Sequence, residues 1–378
     1  MRSPKLLWDV LARGRYDFSY DRMPFRARGM AWAKRWGLVR SGLNLLHRRV
    51  RPWSWPIHMQ FELTNYCSLR CPVCPTGNRS LARRAQSMDA QLLERILAEA
   101  GPHLLTASLW GWGEPLMHPQ LEQVLRAFSR YPIATLLSTA GQQLDDDRVL
   151  EAILAAPPTY LIVALDGLTD ETNSLYRVGA KLAPALAGVA RLAAAKRARG
   201  LSHPVLHMRF MVMKHNQHEL PQVRDFAARH GFEFLTLRTL SIVDGANTDA
   251  VHGEFVPDQA DYRAYSYAEG QRIRRSDFVC EQPFWFPTLL ADGTVVSCDQ
   301  DCHAKLPFGR VEGATTFERV WRGKKAADVR RVIRDAPEKV GFCVNCPFWD
   351  RPVTDCSVEA AALLPEYRHP VIIEHDKR

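Results

Sequence analysis

The 378-residue sequence lacks any apolar run long enough to cross a bilayer: the longest, from Ala152 to Leu165, contains two prolines and stops at Asp166, short of the roughly 20 residues a spanning helix needs. No secretory signal is expected either, because Asp9 and Arg13 interrupt the apolar residues behind Arg2 and Lys5 too early. A cytoplasmic protein is expected. With 46% hydrophobic and 24% charged residues the composition excludes disorder as the main state. Cysteine is missing from the 205 residues between Cys74 and Cys280; the nine cysteines crowd at 67, 71 and 74 and at 280, 298, 302, 343, 346 and 356. An odd number in tight clusters argues for metal binding and against a disulfide framework.

Acid is nearly missing from residues 1–55, which hold 13 of the 50 Lys and Arg but 3 of the 41 Asp and Glu. The local charge is +10 and the other 323 residues carry −1, so the basicity says nothing about the rest of the chain. Trp32, Trp36, Val39, Leu43, Leu46 and Val50 recur at helical spacing as one apolar stripe, beside Lys34, Arg35, Arg40, Arg48 and Arg49. The segment reads as a basic, Trp-rich helical extension. The plain expectation is that the stripe packs on the body of the protein; the alternative is peripheral contact of residues 28–50 with an anionic inner-membrane surface. Basic charge permits nucleic acid, which is not expected.

From residue 57 the hydrophobic period switches repeatedly between two and 3.6, as in repeated β/α units. Candidate strands are Ile57–Leu63, Leu104–Leu109, Ile133–Ser138, Tyr160–Leu165, Val205–Val212 and Phe234–Leu237. Helical patterns fall at Asp89–Ala100, Pro119–Ser129, Asp145–Leu154, Lys181–Arg199 and Glu219–His230. Six parallel strands with intervening helices make either an open doubly wound sheet or an incomplete barrel. The unusual local sequences, Cys67–Cys74, Gly111–Pro115, Ser138–Gly141, Asp166-Gly167 and Lys214–Asn216, each follow a strand. That end of a parallel sheet is where α/β enzymes build their sites.

Cys67-Ser68-Leu69-Arg70-Cys71-Pro72-Val73-Cys74 puts three sulfurs on one loop, ligands that select zinc, copper(I) or an iron–sulfur cluster. Structural zinc wants a fourth protein ligand, and the nearest downstream histidine, His103, lies beyond a helix. The loop suits a four-iron cluster with one iron left open.

These residues resemble the signature of the radical S-adenosylmethionine (SAM) enzymes, a three-cysteine loop of this spacing after the first strand of a partial (β/α)6 barrel. The resemblance spans about residues 57–240. It implies a 4Fe-4S cluster on Cys67, Cys71 and Cys74 whose open iron binds the amino and carboxylate groups of SAM. It further implies reductive cleavage of SAM to methionine and a 5′-deoxyadenosyl radical that removes hydrogen from a substrate carbon, with an electron donor such as flavodoxin or ferredoxin. Gly111, Gly113, Glu114 and Pro115 are similar to the family's Gly-Gly-Glu-Pro motif at the methionine amino group, with Trp112 replacing the second glycine of the commonest form. Ser138 and Thr139 align with polar residues at the ribose or carboxylate, the Asn commonly next being Ala140 here. Asp166, Gly167 and Arg177 resemble the family's Leu-Asp-Gly segment and an arginine that pairs with the SAM carboxylate. Val73 stands where many members carry an aromatic residue near adenine.

Residues 276–356 show no β/α alternation. Asp292-Gly293, between Leu289-Leu290 and Val295-Val296, reads as a hairpin turn that puts Cys298 just past the second strand. Cys343-Val344-Asn345-Cys346 is a Cys-x-x-Cys knuckle, and with Cys280 and Cys298 it makes four thiolates, enough for a zinc site or a four-iron cluster. Together with Gly309-Arg310-Val311, Phe317 and Trp321, the region resembles the SPASM and shorter twitch domains. That implies an auxiliary 4Fe-4S cluster on Cys280, Cys298, Cys343 and Cys346, most similar in count to the single-cluster twitch form of the butirosin-pathway aminocyclitol dehydrogenase. Cys302 and Cys356 are left as thiols near the site, unless Cys356 replaces a ligand or His303 joins an incomplete second cluster. The expected organisation is an extension over 1–55, the radical SAM core over 56–240, a connecting helical segment over 241–275, the SPASM/twitch domain over 276–356 and a tail over 357–378.

A fully ligated auxiliary cluster passes electrons without binding substrate. Hydrogen abstraction followed by loss of an electron and a proton, an oxidation, is the expected chemistry; abstraction followed by hydrogen return from Cys302 or Cys356 would be epimerisation. No general base stands out, and core or structural roles are expected for His207, Arg209, Lys214 and Arg238. The expected substrate is a small molecule, a sugar or a lipid-linked compound. A ribosomally made peptide is the alternative, placed second because residues 1–55 are too short for the peptide-recognition domain, strands followed by helices, that such enzymes carry. A metal-binding scaffold or electron carrier that leaves SAM intact is the non-enzyme alternative.

Overall fold

Tyr16, Phe18 and Tyr20, then Met23, Phe25 and Ala27, alternate with polar or small residues at a period of two, and both stretches are strands in the computed structural model. The structure describes residues 4–242, 254–268, 271–350 and 356–375. Strands β1 (Tyr16–Tyr20) and β2 (Met23–Arg28) pair antiparallel across Asp21 and Arg22, which both hold the positive φ that a two-residue hairpin turn requires. Helices α1 (Pro4–Leu11) and α2 (Trp32–His47) flank the hairpin. The extension is therefore not purely helical, as the stronger 3.6-residue signal over 32–50 suggested.

Six strands follow: β3 (His58–Phe61), β4 (Thr106–Leu109), β5 (Ala134–Thr139), β6 (Tyr160–Ala164), β7 (Val205–Val212) and β8 (Phe234–Thr239). They lie side by side in chain order with every neighbour parallel. An unreversed order has no topological switch point, so the fold is the partial (β/α)6 barrel and not the doubly wound sheet. Helices α3 (Ala90–Ala100), α4 (Leu121–Ser129), α5 (Asp147–Ala155), α6 (Asp170–Tyr176), α7 (Leu182–Ala198) and α8 (Leu220–Arg229) connect them. Capping sets where helices start: Asp89 accepts Leu92 N and Asp146 accepts Arg148 N, each at 2.8 Å.

Strands β4 and β6 are buried along their whole length, because both faces of the sheet are covered. Outward side chains such as Leu109, Leu137 and Leu161 pack with the helices. Inward ones, Leu136, Tyr160, Ile162 and Phe234, pack on Met23 and Phe25 of the hairpin. Each of these buried apolar side chains contributes about 1.5–3 kcal/mol, so the hairpin is an integral filling of the barrel.

The C-terminal region extends the same sheet. Strand β9 (Ser266–Ala268) pairs with β10 (Gln271–Ile273) as a separate ribbon, where a connecting helical segment over 241–275 was expected; residues 243–253 of that segment lie outside the described residues. Strand β11 (Thr288–Leu289) adds in parallel beside β3, followed antiparallel by β12 (Thr294–Val296) and β13 (Gly309–Arg310). At the other edge β14 (Ser357–Ala362) runs antiparallel to β8, and β15 (Val371–Glu374) joins β2 as the third strand of its small sheet. The segment named a tail thus carries two strands. Among the described residues no helix is long and apolar enough to cross a membrane.

Helix α2 packs differently from its sequence stripe. Its buried side chains are Lys34, Leu38, Val39, Ser41 and Asn44, whereas Trp32, Trp36, Leu43 and Leu46 are exposed. Polar bonds hold the packed face: Lys34 Nζ donates to Leu104 O at 2.7 Å and Asn44 Nδ2 donates to Ser54 Oγ at 2.6 Å. The expectation that the aromatic stripe packs on the body is corrected for all but Val39, with Val50 half-buried.

Candidate functional site

The loop after β3 turns tightly, with Cys74 N donating to Cys71 O at 3.2 Å and Leu69 N donating to Cys67 Sγ at 3.4 Å. Gly77 lets it close, since a Cβ there would lie 2.5 Å from the backbone N and O of Cys71. Leu69, Val73, Ala140, Tyr176 and Met213 form an apolar shell around the three thiols. Burial pushes Cys67 up to about 11 and Cys71 up to about 12, and raises Cys74 as well; the Arg177 guanidinium opposes the rise at each. Three sulfurs and one cation therefore share one dry site.

The Gly111–Pro115 loop lies directly against it. A Cβ on Gly113 would come within 2.3 Å of Thr64 O, and one on Gly111 within 2.7 Å of Glu62 Cβ, so the loop backbone meets the backbone of Thr64 and the side chain of Glu62 where the motif has glycine. Glu114 N donates to Tyr66 O and Thr64 Oγ1 donates to Glu114 O, both at 2.9 Å, and Thr76 Oγ1 donates to Trp112 O. Pro115 opens a short 3-10 turn. The buried Glu114 carboxylate accepts Leu116 N at 3.1 Å and Ala140 N at 2.9 Å, so a backbone N–H stands where an asparagine side chain was expected to contribute polarity. Burial raises its pKa, and the donors from Ala140, Thr139 and Leu116 oppose that.

Thr139 Oγ1 accepts Gly141 N at 2.8 Å, while Ser138 Oγ accepts Arg209 Nη1 at 3.3 Å. Asp166 Oδ1 accepts Met211 N at 2.9 Å, and its Oδ2 stands 2.7 Å from Arg177 Nε. That ion pair lacks hydrogen-bond geometry, leaving Asp166 Oδ2 and Arg177 Nε as buried polar atoms without hydrogen-bond partners. Burial raises the Asp166 pKa against the pull of Arg177. Asp166 and Arg177 lie beside the cysteine loop, close enough to shift Cys71 electrostatically.

The second set assembles from distant segments. Asp292 and Gly293 make the turn between β11 and β12, Gly293 with φ +87°, and Cys298 follows β12. Cys346 N donates to Cys343 O at 3.0 Å in the knuckle. Burial is the first cause of the raised pKa at Cys280, Cys298, Cys343 and Cys346, and mutual thiolate repulsion adds to it: Cys298 responds to the other three, and Cys346 to Cys280, Cys343 and Cys356. The four form one group with Cys356 at its edge. Cys302 is buried too, its carbonyl accepting Arg83 Nε at 2.6 Å.

One cavity of about 390 Å³ touches both sets, lined among others by Cys74 on one side and Cys298 and Cys356 on the other. Trp112 Nε1 bridges them by donating to Asp299 O at 2.9 Å. The hairpin tip supplies another wall, with Ser19, Tyr20 and Asp21 facing the space. Asp21 pairs with Arg209 at 2.7 Å and Arg238 at 2.9 Å, and Ser357 Oγ donates to it. His207 is buried and hydrogen-bonded to Thr236 Oγ1 at 2.8 Å. These are the structural roles expected for Arg209, Arg238 and His207.

Glu62 is the residue the sequence reading missed most completely. Fully buried, it accepts both Nη atoms of Arg83 at 2.7 and 2.6 Å, Trp112 N at 3.3 Å and Ala291 N at 3.0 Å. One carboxylate thus ties the barrel, the segment behind the cysteine loop, the glycine loop and the C-terminal region. Nothing in its local sequence marks it beyond a charge at the end of an apolar strand.

Residues 61–227 match the model of the radical SAM superfamily, and residues 280–347 match that of the SPASM iron–sulfur cluster-binding domain. The chain carries a radical SAM domain followed by a SPASM domain. Its cofactors are SAM, a SAM-binding 4Fe-4S cluster and auxiliary iron–sulfur. The radical SAM chain is 24% identical over 315 residues to the mycofactocin maturase MftC of Mycobacterium ulcerans, covering 78% of this chain and 81% of that one. It is 27% identical over 331 residues to the PqqA peptide cyclase of Ruegeria pomeroyi, covering 82% and 84%. The fold is similar to that of Streptococcus suis SuiB bound to precursor peptide SuiA, with a TM-score of 0.57 at 14% identity over 86% of this chain and 81% of that one. The residues present fit the cofactors: soft sulfur donors in a dry shell, beside the buried Asp166–Arg177 ion pair.

Proposed function

We propose that this chain modifies a peptide by radical chemistry, abstracting hydrogen from a residue held in the cavity between the two cysteine sets. The observation that carries the reading is that one cavity touches Cys74 of the first set and Cys298 of the second. A cavity of about 390 Å³ suits one or two side chains or a small molecule. Relatives over most of the chain include a peptide cyclase, which favours the peptide over the small hydroxylated substrate.

Cys67, Cys71 and Cys74 would hold the SAM-binding cluster, and Cys280, Cys298, Cys343 and Cys346 the auxiliary one. Bound there, these cofactors and SAM supply the reducing electron, the hydrogen-abstracting radical and an acceptor for a second electron. The protein's part is placement. Gly111 and Gly113 let their loop pack closely on Glu62 and Thr64 beside the site, Glu114 fixes the ends of β4 and β5 there, and Arg177 would offer its guanidinium to the SAM carboxylate. Ser138 and Thr139 set the polar edge of the same site. The apolar shell of Leu69, Val73, Tyr176 and Met213 keeps water from the reacting centre.

A small-molecule oxidation, the reading placed first on sequence, is favoured by one feature: the hairpin tip walls the cavity, which limits how much substrate enters. The test separates the two. Anaerobically reconstituted protein is given SAM, reductant and either a perdeuterated peptide pool or a deuterated metabolite pool. Deuterium in 5′-deoxyadenosine from the peptide alone supports the proposal; transfer from the metabolites alone moves the reading to the small molecule. Iron-loaded protein that forms no 5′-deoxyadenosine at all contradicts both.

A further inference from the structure

The outward face of α2 is more apolar than the face packed on the barrel. Trp32 is 58%, Leu46 67% and Trp53 46% exposed, with Trp36 and Leu43 also in solvent, while Lys34, Ser41 and Asn44 are buried. Trp36, Leu43 and Trp53 wall one surface depression together with Arg40. Arg49 lies 3.7 Å over the Trp53 ring, and Arg51 and Arg334 border the adjoining hollow. Scattered apolar residues on a surface need no explanation, but a contiguous patch rimmed by arginine does.

Charge selects the occupant. Between Asp21 and Glu62 the chain has nine Lys and Arg and no Asp or Glu. We propose that this face docks on an anionic lipid bilayer, the Trp and Leu side chains entering the headgroup boundary and Arg40, Arg49 and Arg51 meeting lipid phosphates. A second copy of this chain would bring the same excess of cations to the contact, and nucleic acid would leave Leu43 and Leu46 without a role. The packed side of α2 is bonded to Leu104, just ahead of β4, at the amino end of the strands. A bilayer there leaves the cavity at the opposite, carboxyl end uncovered. The proposal is independent of the substrate.

The full chain is tested by co-sedimentation with vesicles of phosphatidylcholine alone and of phosphatidylcholine mixed with phosphatidylglycerol. Binding is expected for the anionic vesicles, weakening with added salt and falling about tenfold or more in Trp36→Ala/Leu46→Ala. Unchanged circular dichroism shows that these exposed positions leave the fold intact. Failure to bind the anionic vesicles, or equal binding by the double variant, overturns the proposal. So does a dimer in sedimentation velocity that is lost in the same variant, or a DNA oligonucleotide that binds as tightly as the vesicles.

Discussion

The Asp21 carboxylate accepts Arg209 Nη2 at 2.7 Å across a sequence separation of 188 residues. Arg238 reaches the same oxygen at 2.9 Å, and Ser357 Oγ donates to the other. A single acid at a hairpin turn thus joins the N-terminal extension to β7, β8 and β14, inside the barrel. Replacing Asp21 with Asn leaves two guanidiniums facing each other without a counter-charge, and unfolding free energy is expected to drop by about 3–5 kcal/mol. Urea denaturation followed by far-UV circular dichroism reads this, and a variant within about 0.5 kcal/mol of the parent rules the account out.

The same carboxylate makes a pH-dependent contribution. Burial is the largest single influence on it and pushes it up, but Arg238, Arg209 and the bond from Ser357 act together against burial, and it is held down at about 2. A depressed folded pKa stabilises fully above the unfolded value of about 3.9 and loses that stabilisation as pH falls through the folded one. The stability gap between the parent and Asp21→Asn should therefore narrow as pH drops from about 4 to about 2. A gap that stays constant over that window contradicts it.

Glycine packing at the first cysteine set makes a second, local prediction. Ala at Gly77 or Gly113 puts a methyl 2.5 Å or 2.3 Å from backbone atoms of Cys71 or Thr64, contacts that side-chain motion cannot relieve. Iron bound per chain after anaerobic reconstitution should fall in Gly77→Ala, and SAM cleavage should fall in Gly113→Ala. Normal values for both would mean that the loops tolerate displacement.

The two cysteine sets should be separable. Cys71→Ala is expected to abolish 5′-deoxyadenosine formation while keeping the iron of the second set; Cys343→Ala should lose only that second share. Cys302→Ala should keep both, because Cys302 is not among the residues assigned to either set. Loss of all iron from Cys343→Ala would show that the sites are not independent.

Glu62 offers a test of the joint between the regions. Glu62→Ala strands the Arg83 guanidinium, whose side chain is 10% exposed, and should cost about 3–5 kcal/mol. Glu62→Gln keeps an acceptor for Ala291 N and is expected to cost less. Thermal unfolding compares the two, and equal losses would argue against a role for the acceptor.

How much of this was legible beforehand follows from the range of the interactions. Val205–Val212 was read from sequence with its observed bounds, and Ala90–Ala100 and Tyr160–Ala164 to within a residue, because periodicity and caps such as Asp89 are local signals. The Cys67–Cys74 loop and the turn at Asp292-Gly293 were equally visible, their spacing being short. Tyr16–Tyr20 and Met23–Arg28 were not, since a hairpin that fills a barrel carries only six alternating positions and its partners, Tyr160 and Phe234, lie far along the chain. Glu62 and Asp21 were invisible for the same reason: a buried carboxylate is explained only by the arginines that reach it from elsewhere. The stripe on α2 misled because an amphipathic pattern shows that two faces differ, not which of them is buried.

Strand β15 pairs with β2, and Arg28 meets Glu374 across 346 residues of sequence. The ribbon beneath the cavity is therefore stitched from nearly opposite reaches of the polypeptide, and contacts of such contact order form slowly. Assembly of this underside should trail that of the parallel strands above it. A nick near residue 365 would then slacken the hairpin and with it the wall that Tyr20 and Asp21 present to whatever enters.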